Sequence, residues 1–305
     1  MAINTKYIWM NGEFVPREQA VVPFLNNTLH YGVGFFEGIR SYRTTKGAAV
    51  FRLTDHVDRL FDSLKIGGFT HIPFTREEIS EAIKETLRVN ELTDAYIRPL
   101  VYYQDDVMGM SIDNGELKVG IAAWEWPSIY SDEVLQNGLH AGISSFARIH
   151  HNSLLVKAKA CGNYVNSIYA NHQAKLQGYN ETILLDQYGF VSECSGENLL
   201  VVSKGKVYSP SYATMLGGIT RDSVVTLLSD LKIDVIEQPI ARDMLYIADE
   251  VFLTGTAAEV VGISQIDNRI IGSGRVGPLS AEMRKLYIEN ARGEGAHSAE
   301  WCELI

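Results

Sequence analysis

The chain reads as a mixed α+β protein of two domains, and three features of its 305 residues predict this. Strand-patterned and helix-patterned segments alternate through the first third. The second half is β-rich, with fewer helices. Between them, "WEWPSIYSDEVLQNG" leaves a strand, carries Pro127 and turns polar, the pattern of a linker. The predicted division is a small N-terminal α/β domain over 1–124, a linker over 125–138 and a larger C-terminal β-rich domain over 139–305.

The elements follow in order. "YIWMNGEFV" sets Asn11-Gly12 between two β-prone runs, a strong hairpin signal. "AVFRLTDHVDRLFDSLKIGG" begins as a strand. Thr54 is then the expected helix cap, Leu53, Val57, Leu60, Phe61 and Leu64 keep helical spacing, and Gly67-Gly68 ends the helix. "TREEISEAIKETLRVN" opens with Thr75 and Glu78, the spacing of a capping box. "AYIRPLVYYQ" and "LKVGIAAWEW" are predicted strands. Beyond the linker, "VNSIYANHQAKL" is amphipathic, with Val165, Ile168, Tyr169, His172 and Leu176 sharing a face. "TILLDQYGFVSECSGENLLVVSKGKVYSP" reads as strands turning at Gln187–Gly189 and at Lys204-Gly205. "GGITRDSVVTLLSDL" is a glycine-led helix, and "DEVFLTGTAAEVVGISQID" is a strand, a small-residue loop and a strand.

Composition narrows the function. Hydrophobic residues at 46% and charged residues at 21% suit a globular chain with a full core. A net charge of -10, with no basic stripe, argues against nucleic acid as a partner. No apolar run approaches the roughly 20 residues that span a bilayer, so no membrane partner is expected. "MAINTKYIWMNGEF" lacks the pattern of a signal peptide, which predicts a cytoplasmic location. Cys161, Cys194 and Cys302 form neither a disulfide framework nor a metal spacing, and no metal is expected.

Three local signals converge on one kind of ligand. Gly217 and Gly218 precede Ile219 and Thr220 at a helix start, where unpaired N–H groups and the dipole favour phosphate. The loop from Thr254 to Ala258, with Gly255 and the Thr256 hydroxyl, adds further donors. Taken alone, these are also what a helix cap and a β-turn look like. The spacing matches neither a Walker loop nor a dinucleotide fingerprint. In "VKAKACGNY", Lys157 and Lys159 sit among small and apolar residues. Either is placed to lose its proton and form a Schiff base with an aldehyde. Each reads also as a lysine snorkelling from a strand end. In "SECSGENLLVV", Glu193 and Glu197 flank a strong strand, and a buried carboxylate there needs a cationic partner such as a protonated ring nitrogen. Phosphate donors, a desolvated lysine and a buried carboxylate are together what pyridoxal 5'-phosphate requires.

At this point the chain resembles the fold-type IV pyridoxal-phosphate enzymes, and most closely the branched-chain amino acid aminotransferases. The motifs are "HYGVGFFEGIR", "FRLTDHVDRLFDS", "AYIRPLVYY", "KACGNYVNS", "GFVSECSGENLLVV", "LGGITRDSV", "TGTAAEVVGI" and "GSGRVGPLS", from about Tyr7 to Arg292. Their joint occurrence is specific; none is so alone. The resemblance implies a barrel-like C-terminal domain. It makes Lys159, first residue of K-x-x-G-N-Y, the catalytic Schiff-base lysine and Lys157 a bystander. It implies that Tyr164 meets the cofactor's phenolic oxygen and Glu193 its ring nitrogen. Arg59, Gly218, Ile219, Thr220, Gly255 and Thr256 would hold the phosphate.

For substrate, the resemblance points to Tyr96 and Arg98, which period two places on one strand face, with Thr256, Ala257 and Ala258 as further carboxylate contacts. Phe36, Gly38, Trp126 and Tyr130 would line the apolar pocket. Tyr31 and Met110 would come from the neighbouring subunit of a homodimer, itself a unit of a possible trimer of dimers. The implied reaction moves the amino group between L-leucine, L-isoleucine or L-valine and 2-oxoglutarate. The alternatives within the fold are D-amino acid or (R)-amine aminotransferases and aminodeoxychorismate lyase, and Tyr-x-Arg in place of Arg-x-His weighs against them. Cys161 and Cys194 depart from the "KAGGNY" and "SEGAGEN" patterns of many relatives, which raises oxidation there as a route to lost activity. The tail "GEGAHSAEWCELI" either docks through Trp301 or stays mobile.

Overall fold

The computed structural model describes residues 3–105 and 107–305. Contacts group the chain into two compact units, Met1–Pro127 with Ala158–Asn163 and Asn290–Ile305, and Ser128–Lys157 with Tyr164–Glu289. A division by sequence position alone puts 158–163 and 290–305 with the C-terminal part; the contacts place both with the first unit.

In the first unit, β1 (Tyr7–Met10) and β2 (Glu13–Pro16) form the expected hairpin. Asn11 (φ 52°) and Gly12 (φ 107°) both take the positive φ that a tight hairpin turn demands. After α1 (Asn27–Tyr31) come β3 (Gly34–Phe36), β4 (Ile39–Thr44), β5 (Gly47–Phe51), α2 (Leu53–Ile66), α3 (Arg76–Val89), β6 (Ala95–Gln104) and β7 (Glu116–Glu125). The strands order as β5-β4-β6-β7-β1-β2, with β3 on β6. Leu53, Val57, Leu60, Phe61 and Leu64 of α2 are buried against Ile79, Ile83 and Leu87 of α3 and the sheet's Ile97, Val101 and Ile121. At α3 the capping box is complete: Glu78 N–H donates to Thr75 Oγ1 at 3.1 Å, and Thr75 N–H to Glu78 Oε2 at 2.7 Å.

The expected Thr54 cap is corrected. The N-cap of α2 is Arg52, in left-handed conformation (φ 54°). Thr54 lies inside the helix and its hydroxyl donates to Glu303 Oε1 at 2.8 Å. The reason is tertiary: Arg52 N–H donates to Trp301 O at 2.6 Å, and its guanidinium pairs with Asp55. The C-terminus adds a last strand (Cys302–Leu304) antiparallel to β5. Trp301 is buried, edge-on to Phe51 and stacked on His297, so the tail docks.

The second unit starts with α4 (Asp132–Asn137) and β8 (Leu139–Ile143), then α5 (Tyr164–Leu176), β9 (Glu181–Leu185), β10 (Val191–Cys194), β11 (Asn198–Ser203), β12 (Lys206–Ser209), α6 (Ile219–Asp230), β13 (Val235–Glu237), α7 (Arg242–Tyr246), β14 (Glu250–Gly255), β15 (Glu259–Ile266), β16 (Arg269–Ile270) and all but the last two residues of α8 (Pro278–Ala291). Its sheet runs β10-β9-β8-β15-β14-β11-β12-β13. Cys194 N–H donates to Glu197 O at 2.8 Å, which brings β10 back beside the start of β11 and curls six strands toward a barrel. Leu139, Ile183, Leu199, Val201, Leu253 and Ile263 fill its interior. The fold is mixed α+β, as the sequence predicts.

One amphipathic face behaves differently from expectation. In α5, Val165, Ile168, Tyr169 and Leu176 are exposed. The helix instead buries Ala170 and Ala174, whose small side chains permit close packing on β9. Among the described residues, no helix is long and apolar enough to cross a membrane, and no cluster of three or more His, Cys, Asp or Glu could hold a metal ion.

Candidate active site

In the first unit the site grows around the segment 158–163. Ala160 bridges to Phe35, Lys159 N–H donates to Ser63 Oγ at 2.9 Å, and Phe36 N–H donates to Lys159 O at 3.1 Å. Gly162 N–H donates to Gly32 O at 3.1 Å. A Cβ on Gly32, whose φ is 73°, would come 2.9 Å from Gly162 Cα, so position 32 favours glycine. Asn163 Nδ2 donates to Ala158 O at 3.1 Å and closes the loop. The Lys159 backbone is thus held at both its N–H, by the Ser63 hydroxyl, and its C=O, by the Phe36 N–H. Its Nζ lies 5.2 Å from the centroid of the Phe36 ring, and the Arg98 guanidinium is 4.6 Å from the same ring.

Tyr96 and Arg98 share one face of β6, and Arg98 Nη2 donates to Tyr96 Oη at 3.1 Å. Arg98 Nε is buried without a hydrogen-bond partner. The Tyr96 ring packs at a tilt against Trp124, 5.3 Å between centroids, and Trp126, 5.0 Å. A Cβ on Gly38 would fall 1.9 Å from Tyr96 Oη, so only glycine leaves that hydroxyl in place. Phe36, Gly38, Tyr96, Arg98, Trp126 and Lys159 therefore form one cluster of aromatic and cationic groups.

Beside it lies a charge network that the sequence reading missed. Glu37, wholly buried, accepts from Arg59 Nε at 2.7 Å and Nη2 at 2.8 Å, and is bonded to His56 Nδ1 at 2.7 Å. Burial alone would raise the Glu37 carboxyl, but the Arg59 guanidinium, with His56, outweighs it and holds the carboxyl far below the usual range. His56 is pushed down by burial and by the cations around it, against the pull of Glu37. The guanidinium of Arg59 is thereby fixed in orientation. The available signal was a lone carboxylate inside the apolar "GFFEGIR".

In the second unit, Glu193 is 6% exposed. Arg148 Nε donates to Oε1; Leu216 N–H at 3.1 Å and Asn198 Nδ2 at 3.3 Å donate to Oε2. Arg148 Nη1 is buried without a hydrogen-bond partner. Asn198 joins three parts of this wall. It holds Glu193, it donates to Leu216 O at 3.1 Å, and it pairs across the sheet with Thr254, next to the 255–258 loop. Its Oδ1 stands 1.9 Å from where a Gly218 Cβ would be, so the start of α6 can sit this close only with glycine. Gly218 caps α6 with no side-chain bond, and Ile219 and Thr220 form the buried first turn. Neither Arg148 nor Asn198 was singled out in the sequence. Arg148 lies in an irregular stretch with no periodicity, whereas Asn198 stands inside "SGENLLVV".

The remaining expected residues are less closely tied. Tyr130 packs on the second core; burial, then the carboxylates of Glu197 and Glu181, keep its phenol protonated. Tyr164 begins α5, half-buried. Tyr31 and Met110 are exposed and join neither cluster. Lys157 is half-buried, with a pKa lowered by that burial. Its Nζ donates to Tyr212 O and to Met215 O at 3.0 Å and lies over the Tyr212 ring, which is a structural tie. Glu197, the other carboxylate of its motif, is less buried than Glu193. Burial pushes the thiols of Cys161 and Cys194 up, which disfavours the reactive thiolate.

A two-unit α+β chain with a lysine-bearing loop on one unit and a buried carboxylate beside a bare helix start on the other defines a recognisable class of enzyme. Residues 34–266 match the model of the amino-transferase class IV family. The branched-chain-amino-acid aminotransferase of Pseudomonas aeruginosa is 43% identical over 305 residues, covering 100% of this chain and 99% of that protein. That of Escherichia coli K12 is 40% identical over 301 residues, covering 98% and 97%. Among solved structures, a T.th. branched-chain amino acid aminotransferase with pyridoxamine 5'-phosphate superposes with a TM-score of 0.96 at 44% identity, covering 99% of each chain. The chain belongs to the class IV aminotransferases of fold type IV, in their branched-chain amino acid aminotransferase group.

Proposed function

We propose that this aminotransferase binds pyridoxal 5'-phosphate and moves the amino group between L-leucine, L-isoleucine or L-valine and 2-oxoglutarate, giving branched 2-oxo acids and L-glutamate. One observation carries the cofactor reading. The buried Glu193 carboxylate and the uncapped start of α6 are pinned to each other through Asn198 and Leu216. That pairs an acceptor for a protonated ring nitrogen with an anion site, and one pyridoxal phosphate would present both a ring N–H and a phosphate to them. Relatives in the same group are described with pyridoxamine 5'-phosphate and with N-(5'-phosphopyridoxyl)-L-glutamate.

In this reading Arg59, Gly218, Ile219, Thr220, Gly255 and Thr256 hold the phosphate, Tyr164 meets the phenolic oxygen, and Lys159 and Glu193 take the aldehyde and ring-nitrogen ends. When bound, the cofactor supplies an electron sink for charge developing at the substrate α-carbon. Lys159 Nζ removes the α-proton of the amino acid and, in the second half-reaction, delivers a proton to that carbon of the oxo acid. The amino group is carried between two separately bound substrates, so the kinetics are ping-pong.

Tyr96 and Arg98, with Thr256, Ala257 and Ala258, bind carboxylates: the α-carboxylate of either substrate and the side-chain carboxylate of 2-oxoglutarate. Phe36, Gly38, Trp126 and Tyr130 exclude water around a branched side chain, and the Arg98 cation over Phe36 lets one pocket accept both an apolar group and a carboxylate. Tyr31 and Met110 are supplied to a partner's pocket in a homodimer, alone or in a trimer of dimers; their exposure in the single chain supports this. We place the enzyme in the cytoplasm.

The test is the visible spectrum of cofactor-loaded protein during anaerobic addition of L-leucine and, separately, D-alanine. Conversion by L-leucine alone is expected, and conversion by D-alanine alone overturns the substrate assignment. Lys159→Ala should lose turnover and the spectral change, while Lys157→Ala keeps both. The opposite result removes Lys159 from its role.

A further inference from the structure

The hairpin of β14 and β15 carries the Gly255–Ala258 loop, to which the proposed function gives phosphate and carboxylate contacts. Gly255 pairs with Glu259 across the turn, and Glu259 has φ 61°. Glycine fits a left-handed position of this kind best. Here it is a glutamate, 5% exposed. A residue with a Cβ persists in that conformation only where its surroundings over-determine it.

The surroundings include a single guanidinium fork. Arg284 Nη2 is 3.0 Å from Glu259 Oε2, and Arg284 Nη1 donates to Val260 O at 3.0 Å. One rigid plane thus holds the side chain of residue 259 and the carbonyl of residue 260, fixing the backbone between them. Arg284 is carried by α8, whose own start is tied to the other end of the same hairpin. Glu250, first residue of β14, accepts from Leu279 N–H at 3.1 Å, Ser280 N–H at 2.8 Å and Ser280 Oγ at 2.7 Å. The helix therefore braces the hairpin from Glu250 to Glu259.

We infer that Arg284, acting through Glu259, is a positioning residue for the Gly255–Ala258 loop and so for carboxylate recognition; this rests on the proposed function of that loop. Because both substrates present an α-carboxylate to the loop, loosening the brace weakens both alike. A change in the side-chain pocket would affect them unequally.

The experiment uses the full-length, cofactor-loaded enzyme with Arg284→Met, which keeps the apolar stem and removes the fork. Amide exchange of a peptide covering 254–260 should quicken about tenfold, and KM for L-leucine and for 2-oxoglutarate should each rise about tenfold with kcat within about twofold. Glu259→Gln, which keeps an acceptor, should fall between this variant and the wild type. Glu259→Gly relaxes the backbone but drops the tie, so it should match Arg284→Met, and the double variant should be no worse than either. Unchanged exchange at 254–260 in Arg284→Met overturns the inference, as does wild-type behaviour of Glu259→Gly. A wild-type control without cofactor uptake or turnover would instead defeat the proposed function, and the exchange comparison would still decide the brace.

Discussion

Arg59→Met should destabilise the first unit by about 3–5 kcal/mol at neutral pH, the usual loss when one partner of a buried pair is removed. Glu37 is 0% exposed. Two of its bonds come from Arg59, at 2.7 and 2.8 Å, leaving His56 at 2.7 Å and Gly38 N–H at 3.3 Å. With the guanidinium gone, only His56 and the Gly38 N–H are left against the burial of the carboxylate. In the wild type the folded carboxyl is held far below its unfolded value of about 4.3. Its contribution is therefore full above that unfolded value and is lost only as pH falls through the lower, folded one. In the variant, protonating Glu37, or charging His56 once Arg59 no longer opposes it, relieves the strain. The gap between variant and wild type should thus be widest near pH 7 and narrow toward pH 4. Thermal unfolding monitored by circular dichroism should show a fall of roughly 10 °C at pH 7, and Arg59→Met with Glu37→Gln should recover most of it. A shift of under about 2 °C at pH 7, or a gap that widens on acidification, would refute the reasoning.

Two further outcomes are expected. Gly38→Ala drives a Cβ to 1.9 Å from Tyr96 Oη, so steady-state kinetics should show KM for L-leucine raised roughly tenfold, with a stability loss of about 1–3 kcal/mol. Trp301→Ala empties the contact of the tail on Phe51 and Arg52; urea unfolding should show a loss of about 3–5 kcal/mol, and a change below about 1 kcal/mol would mean the tail docks without contributing.

Much of this protein is local, and local physics is legible in sequence. The Asn11-Gly12 turn, the Thr75–Glu78 box, the glycine-led start of α6 and the shared face of Tyr96 and Arg98 each depend on residues a few positions apart. Spacing alone does not separate Lys159 from Lys157; the proposal of Lys159 rests on the resemblance of K-x-x-G-N-Y to the family's pattern. The backbone shows what that pattern supports: Gly162 packed on Gly32, and Asn163 closing onto Ala158.

What tertiary structure alone decided lies where partners are distant in the chain. Arg148 meets Glu193 across 45 positions, and Arg59 meets Glu37 across 22. Neither distance leaves a periodic trace. Arg52 replaced Thr54 as a cap because a strand from the C-terminus arrived beside it. Helical spacing in α5 marks an apolar face, yet the chain buries the alanines on another side. Periodicity specifies that residues share a face; only packing specifies what that face meets. By itself the sequence determined most of the elements and their turns. Folding determined which charges are buried together, because burial is a property of neighbours brought in from elsewhere in the chain.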